Sequence, residues 1–77
     1  MSWNYRVIRR THERGPDTFG IHEVYYDNED KPNACTVDPV SPYGETLEEL
    51  KSDLDRMWKA LEKPALDYSY FDDLEKK

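Results

Sequence analysis

The groups with which this chain could do chemistry are two histidines, one cysteine and a surplus of carboxylates. His12 and His22 lie on either side of a Gly15-Pro16-Asp17 turn. A metal would need them to converge with Cys35 or an acid, and none of the ligand spacings of familiar zinc sites occurs. Cys35 and His22 fall on neighbouring extended segments, where a thiol and an imidazole can serve as nucleophile and base. Nothing near Cys35 marks an activated thiol, and a lone strand cysteine reads as a small apolar filler. Asp27, Glu29 and Asp30 resemble a calcium loop only in their acids, because the required glycine and the closing bidentate acid are missing. The three glycines form no phosphate cradle. These residues predict no catalysis, no metal and no cofactor. A small enzyme would reveal itself by turnover lost in Cys35→Ala or His22→Ala.

The carboxylates carry a different message. Glu48, Glu49, Asp53, Asp55 and Glu62 fall on an expected helix, and Asp67, Asp72, Asp73 and Glu75 on the segment after it. Dense carboxylates on a small rigid scaffold can stand in for nucleic-acid phosphates and occupy a basic groove. Tyr68, Tyr70 and Phe71 beside those acids have the composition of interface anchors inside a charged rim. The ordinary alternative is a solubilising face.

The net charge is −6, distributed as −2 over residues 1–44 and −4 over residues 45–77. A direct grip on nucleic acid needs a basic face. Only Arg6, Arg9, Arg10 and Arg14 suggest one, and charge along an edge strand explains them as well. With a single cysteine no internal disulfide can form, which points to a reducing compartment. No run of 18 apolar residues and no signal pattern is present. The chain reads as a cytoplasmic protein. At 77 residues it has room for one domain with a thin core, and its ten aromatic residues argue for a folded one.

Ser2–Arg10 reads as a first strand, since Trp3, Tyr5 and Val7 alternate with polar neighbours. Residues 11–18 read as a turn. Phe19–Tyr26 is a second strand with Phe19, Ile21 and Tyr25 on one face and His22, Val24 and Tyr26 on the other. A polar turn over 27–33 leads to a weaker third strand over 34–40, demoted by Pro39. Thr46 and Glu49 form a capping-box signature, in which each side chain can satisfy a free backbone N–H at the helix start. Leu47, Leu50, Leu54, Met57, Trp58 and Leu61 then make one apolar stripe at helical spacing, and Pro64 ends the helix near Lys63. The expected fold is α+β: a three-stranded antiparallel sheet packed by one amphipathic helix (βββα) over residues 1–64. An acidic aromatic tail over 65–77 packs on the sheet or stays partly mobile. One helix covers only one sheet face, so the tail, a second copy or a partner must cover the other.

Gly44-Glu45-Thr46-Leu47-Glu48-Glu49-Leu50, entered from a strand and a proline-bearing turn, resembles the helix entry of HicB-like antitoxin domains. In those domains a strand such as Tyr5-Arg6-Val7-Ile8 leads through a β-hairpin into a Gly-x-Thr-x-x-Glu turn. The resemblance spans roughly Tyr5 to Leu61. Asp38-Pro39-Val40-Ser41-Pro42-Tyr43 replaces the family's Pro-Gly-Cys-type element, and an acidic tail stands where a DNA-binding module is expected. The resemblance implies a role masking an RNA-acting toxin, without autoregulation at DNA.

The function expected from the sequence is a small inhibitory module, bacterial or phage-borne, that masks a basic or nucleic-acid-handling protein. The mode is antitoxin-like or that of a phage inhibitor of a defence complex, by nucleic-acid mimicry. Its contact residues would be Glu48, Asp53, Asp55, Glu62, Asp67, Tyr68, Tyr70, Phe71, Asp72 and Asp73. Direct nucleic-acid and membrane contacts are not expected. The alternative is an accessory protein that homodimerises through a sheet face at Trp3, Tyr5, Tyr25 and Tyr26.

Overall fold

The computed structural model describes residues 2–75 of the chain. Strand β1 (Ser2–His12) turns through Glu13 and Arg14 into the antiparallel strand β2 (Gly15–Tyr26). The register runs from Ser2 opposite Tyr26 to His12 opposite Gly15, with one shift between Arg10 and His12. The segment expected as a turn over 11–18 is therefore mostly ladder. The register shift absorbs Pro16, which has no N–H to donate.

After β2 the chain turns on Asp27, whose carboxylate accepts from the backbone N–H groups of Lys31 and Glu29. Those bonds hold Asp27 below its usual pKa range. Asp30 closes the turn in the left-handed region at φ 61, which aspartate tolerates better than most residues. Strand β3 (Pro32–Cys35) then pairs with β2. It stops at Cys35 instead of reaching residue 40, because Asp38-Pro39 interrupts the ladder. Even so, the Thr36 and Val40 amides still donate to the Glu23 and Ile21 carbonyls. Gly20 lets this segment approach: a Cβ there would lie 2.9 Å from Pro39 Cγ.

Helix α1 spans Leu47–Ala60. The Thr46 hydroxyl accepts from the Glu49 N–H at 3.1 Å, as the capping signature predicts. The Glu49 carboxylate reaches back one residue further than that motif requires, to the Glu45 N–H. The helix ends three residues before Lys63. There the Leu61, Glu62 and Lys63 amides bond the Trp58, Lys59 and Ala60 carbonyls in tight i to i+3 turns.

The main departure from expectation lies beyond Pro64. Leu66–Asp67 forms strand β4, parallel to β1 with Leu66 opposite Ile8, and Tyr68–Glu75 forms helix α2. The sheet is four-stranded and mixed, in the order β3-β2-β1-β4. It carries two helices, which corrects the expected three-stranded antiparallel sheet with a single helix. The physical reason is the spacing Tyr68, Phe71, Leu74, which places three apolar side chains on one helical face. That face closes the core with Ile8 and Val24, while Tyr26, Cys35 and Leu66 pack around it.

Because alternate strand residues point to opposite faces, Ile8, His22, Val24 and Tyr26 lie beneath α2. Tyr5, Val7, Phe19 and Ile21 lie on the α1 side. Truncating the keystone of the α2 face, Phe71→Ala, is expected to cost about 3–5 kcal/mol in urea denaturation. A loss within about 0.5 kcal/mol, the range of surface substitutions, would show that α2 does not close the core.

Candidate functional site

The α1 side is organised by one buried carboxylate. Asp53 is only 5% exposed. The Tyr5 hydroxyl donates to its Oδ1, the Tyr43 N–H donates to its Oδ2 at 2.9 Å, and Arg56 approaches at 3.4 Å. Strand, loop and helix thus share one acceptor. Burial first, and then the bond to the Asp53 carboxylate and its charge, push the Tyr5 hydroxyl up to about 12. The Tyr5 hydrogen bond outweighs burial and, with help from the Tyr43 amide and Arg56, holds Asp53 below the usual carboxylate range.

This anchor decides how the helix sits. The buried residues of α1 are Asp53, Met57 and Ala60. At 3.6 residues per turn, the stripe of Leu47, Leu54, Trp58 and Leu61 lies roughly a quarter-turn further round. The helix therefore rests on its polar-edged sector, and its apolar stripe overhangs the sheet. Trp58 is 69% exposed, and Leu47, Leu54 and Leu61 are exposed too. Between the stripe and the sheet runs an open trough of about 470 Å³, walled by Val7, Phe19 and Ile21 on one side and Leu54, Met57, Trp58 and Leu61 on the other. Val40 and Pro42 also line it.

Beyond the stripe the helix surface turns acidic. Glu48, Asp55 and Glu62 repeat every seven residues, the last two flanking Trp58, with Lys51 and Lys59 the cations among them. On the sheet side Arg9 shares a face with Val7, but it is neutralised. Its guanidinium pairs with Asp67 at 2.7 Å and feels Asp17, which raises its pKa.

The residues singled out from the sequence do not form one surface. Asp53 and Phe71 are buried. Asp67 is held by Arg9, Tyr68 lies under the Arg10 guanidinium at 3.8 Å, and the Tyr70 hydroxyl donates to the Pro32 carbonyl. Glu48 and Asp55 remain exposed on α1, Glu62 in the turn after it, and Asp72 and Asp73 on α2. Trp3, Tyr5 and Tyr25 share the α1 side, whereas Tyr26 belongs to the opposite face and donates to Asn4. Val7, Phe19, Ile21, Trp58 and Leu61 are the site residues missing from the sequence-based set. Their signal was an apolar stripe wider than the helix footprint.

His22 is buried, with Nδ1 2.9 Å from the Thr36 carbonyl oxygen, and Cys35 packs at the edge of the core. Among the described residues no group of three or more His, Cys, Asp or Glu side chains is placed to hold a metal, and no helix is long and apolar enough to cross a membrane. No family model, curated protein or solved structure matches the chain.

The Asp53 anchor has a pH signature. A depressed carboxylate contributes stability that is complete above its ordinary pKa and is lost as pH falls through the folded value. A raised phenol contributes stability that is complete below pH 10 and is lost as pH rises from 10.0 toward about 12. Tyr5→Phe is therefore expected to flatten the alkaline limb of the stability–pH curve. Asp53→Ala should flatten part of the acid limb and cost about 1–3 kcal/mol at neutral pH. Denaturant midpoints measured across this range check both, and an Asp53→Ala protein as stable as the parent would contradict the anchor.

Proposed function

We propose that this chain is a non-catalytic binding module that masks a basic partner protein, taking an apolar segment flanked by Lys or Arg into the trough beside α1. The observation that carries the reading is the overhanging stripe of Leu54, Trp58 and Leu61 beside Val7, Phe19 and Ile21, with Asp55 and Glu62 three and four residues from Trp58 in the sequence. Apolar side chains left this open cost solubility unless a partner covers them.

The surface area supports the same reading. The chain exposes 6112 Å², while a compact monomer of 9.2 kDa exposes about 4,900 Å². The excess is of the order that one partner of a standard interface buries, about 800 Å². Its radius of gyration, 13.5 Å, also exceeds the roughly 11.5 Å of a compact domain of this length.

Charge selects the kind of partner. A second copy would bring acid against acid on a chain of net charge −6, whereas Lys or Arg at the partner's margin would be attracted. Burial of Trp58 and the leucines supplies affinity, and the acidic margin supplies approach rate and selectivity. A basic surface covered in this way loses access to phosphates, so the consequence for a nucleic-acid-handling partner is inhibition.

The test uses two helical peptides with the same leucine pattern, one with lysines and one with glutamates on the polar positions. The lysine peptide should bind, more weakly at high salt, and the glutamate peptide should not. Trp58→Ala should weaken binding roughly ten- to a hundredfold, since burying such a side chain contributes about 1.5–3 kcal/mol. Reversal of Asp55 and Glu62 to Lys should abolish the preference for the basic peptide. Equal binding of both peptides, or indifference to Trp58→Ala, overturns the reading.

A further inference from the structure

The opposite flank of α1 carries a groove of different chemistry. It has a volume of about 430 Å³, within the range of small-ligand sites. Trp3 and Tyr5 form one wall, Ala60 lies between, and Arg56, Lys59 and Lys63 stand along the other. Arg56 and Lys59 stand three residues apart on α1, and Lys63 joins them from the turn that follows the helix. We propose that this groove binds a nucleotide unit, with the base stacked on Trp3 and the phosphate held by Arg56, Lys59 and Lys63.

Three observations carry the proposal. Trp3 is 47% exposed. Its neighbour Tyr5 packs against it in a T-shaped contact, with centroids 5.3 Å apart and planes at 88°, which fixes the indole. Tyr5 is itself pinned through its hydroxyl to Asp53, so the aromatic wall is preorganised.

Two of the three cations also stand outside any ion pair. Lys59 and Lys63 enter no ion pair among the described residues, and Arg56 offers a single nitrogen to Asp53 at 3.4 Å. The only cation stacked on a ring among the described residues is Arg10 on Tyr68. Among the described residues, then, no cation of the chain is stacked on Trp3. On a chain of net charge −6, three cations gathered along one groove, two of them outside any ion pair among the described residues, mark a local site for an anion. The helix macrodipole accounts for basic residues near a C-terminus, but it does not account for an exposed indole beside them. An aromatic platform with a cationic edge is the combination that binds a base and its phosphate without reading sequence. This site is separate from the trough, and it stands or falls independently of the peptide reading.

The ligand chemistry has two sources, a free nucleotide and a unit of a single strand. Adenosine monophosphate, a short oligothymidylate and inorganic phosphate are titrated into the full chain while the two indole N–H resonances are followed by NMR. The expected result is a saturable shift of the Trp3 signal with the Trp58 signal unmoved, for the mononucleotide, the oligonucleotide or both. Inorganic phosphate alone should bind at least about tenfold more weakly, because stacking is absent. Saturation by the mononucleotide identifies a small-molecule site, and saturation by the oligonucleotide alone identifies a single-strand site. Lys59→Glu with Lys63→Glu, both exposed, should weaken binding at least about tenfold with the fold retained by circular dichroism. Trp3→Ala should weaken the nucleotide but not phosphate. Failure of both nucleotide probes to saturate, a nucleotide no tighter than phosphate, or binding indifferent to the double charge reversal overturns the proposal.

Discussion

The hydrogen bond between Tyr5 and Asp53 sets the geometry on which both candidate surfaces depend. It joins residues 48 apart in sequence, and the Tyr43 amide completes the acceptor's satisfaction. A buried carboxylate without partners costs far more than it contributes, so a helix carrying Asp53 inward can dock only where donors meet it. The donors lie on β1 and on the loop before α1, and that fixes the rotation of the helix. An amphipathic helix left to its own hydrophobicity would bury the centre of its apolar stripe. Here the anchor holds the stripe out.

The two faces of the sheet consequently have different characters. The α2 face is closed, with Ile8, Val24 and Phe71 buried and Tyr68 clamped beneath Arg10. The α1 face rests on a polar anchor, with an apolar trough along one side of the helix and an aromatic, cationic groove along the other. Division of this kind lets a small domain remain folded through one face while the other stays available for ligands. The cost is a surface larger than a compact monomer of this mass needs.

Much of this was legible residue by residue. The alternation in Trp3–Val7 and Phe19–Tyr26 assigned the sheet faces, and Thr46 with Glu49 located the helix start. What escaped had long-range causes. Strand β4 is two residues long, and only its pairing with Ile8 and Arg9 makes it a strand. Helix α2 hid behind a proline and a run of acids, although Tyr68, Phe71 and Leu74 already had helical spacing. The overhang of the α1 stripe could not be read locally, because a tyrosine on the first strand creates it. The convergence of Trp3 with Arg56, Lys59 and Lys63 likewise exists only once α1 has docked across β1.

The central claim is that Asp53 holds the Trp58 stripe away from the sheet. Acrylamide quenching of Trp58, measured in a Trp3→Phe background so that one indole reports, tests it most directly. With Asp53 intact, Trp58 is predicted to quench nearly as readily as a free indole. With Asp53→Leu, which removes the carboxylate's demand for donors and adds apolar volume to the buried sector, the helix is predicted to roll inward and the quenching constant to fall. A Trp58 already shielded in the parent monomer, or one whose quenching is unchanged by Asp53→Leu in a folded protein, would contradict the account.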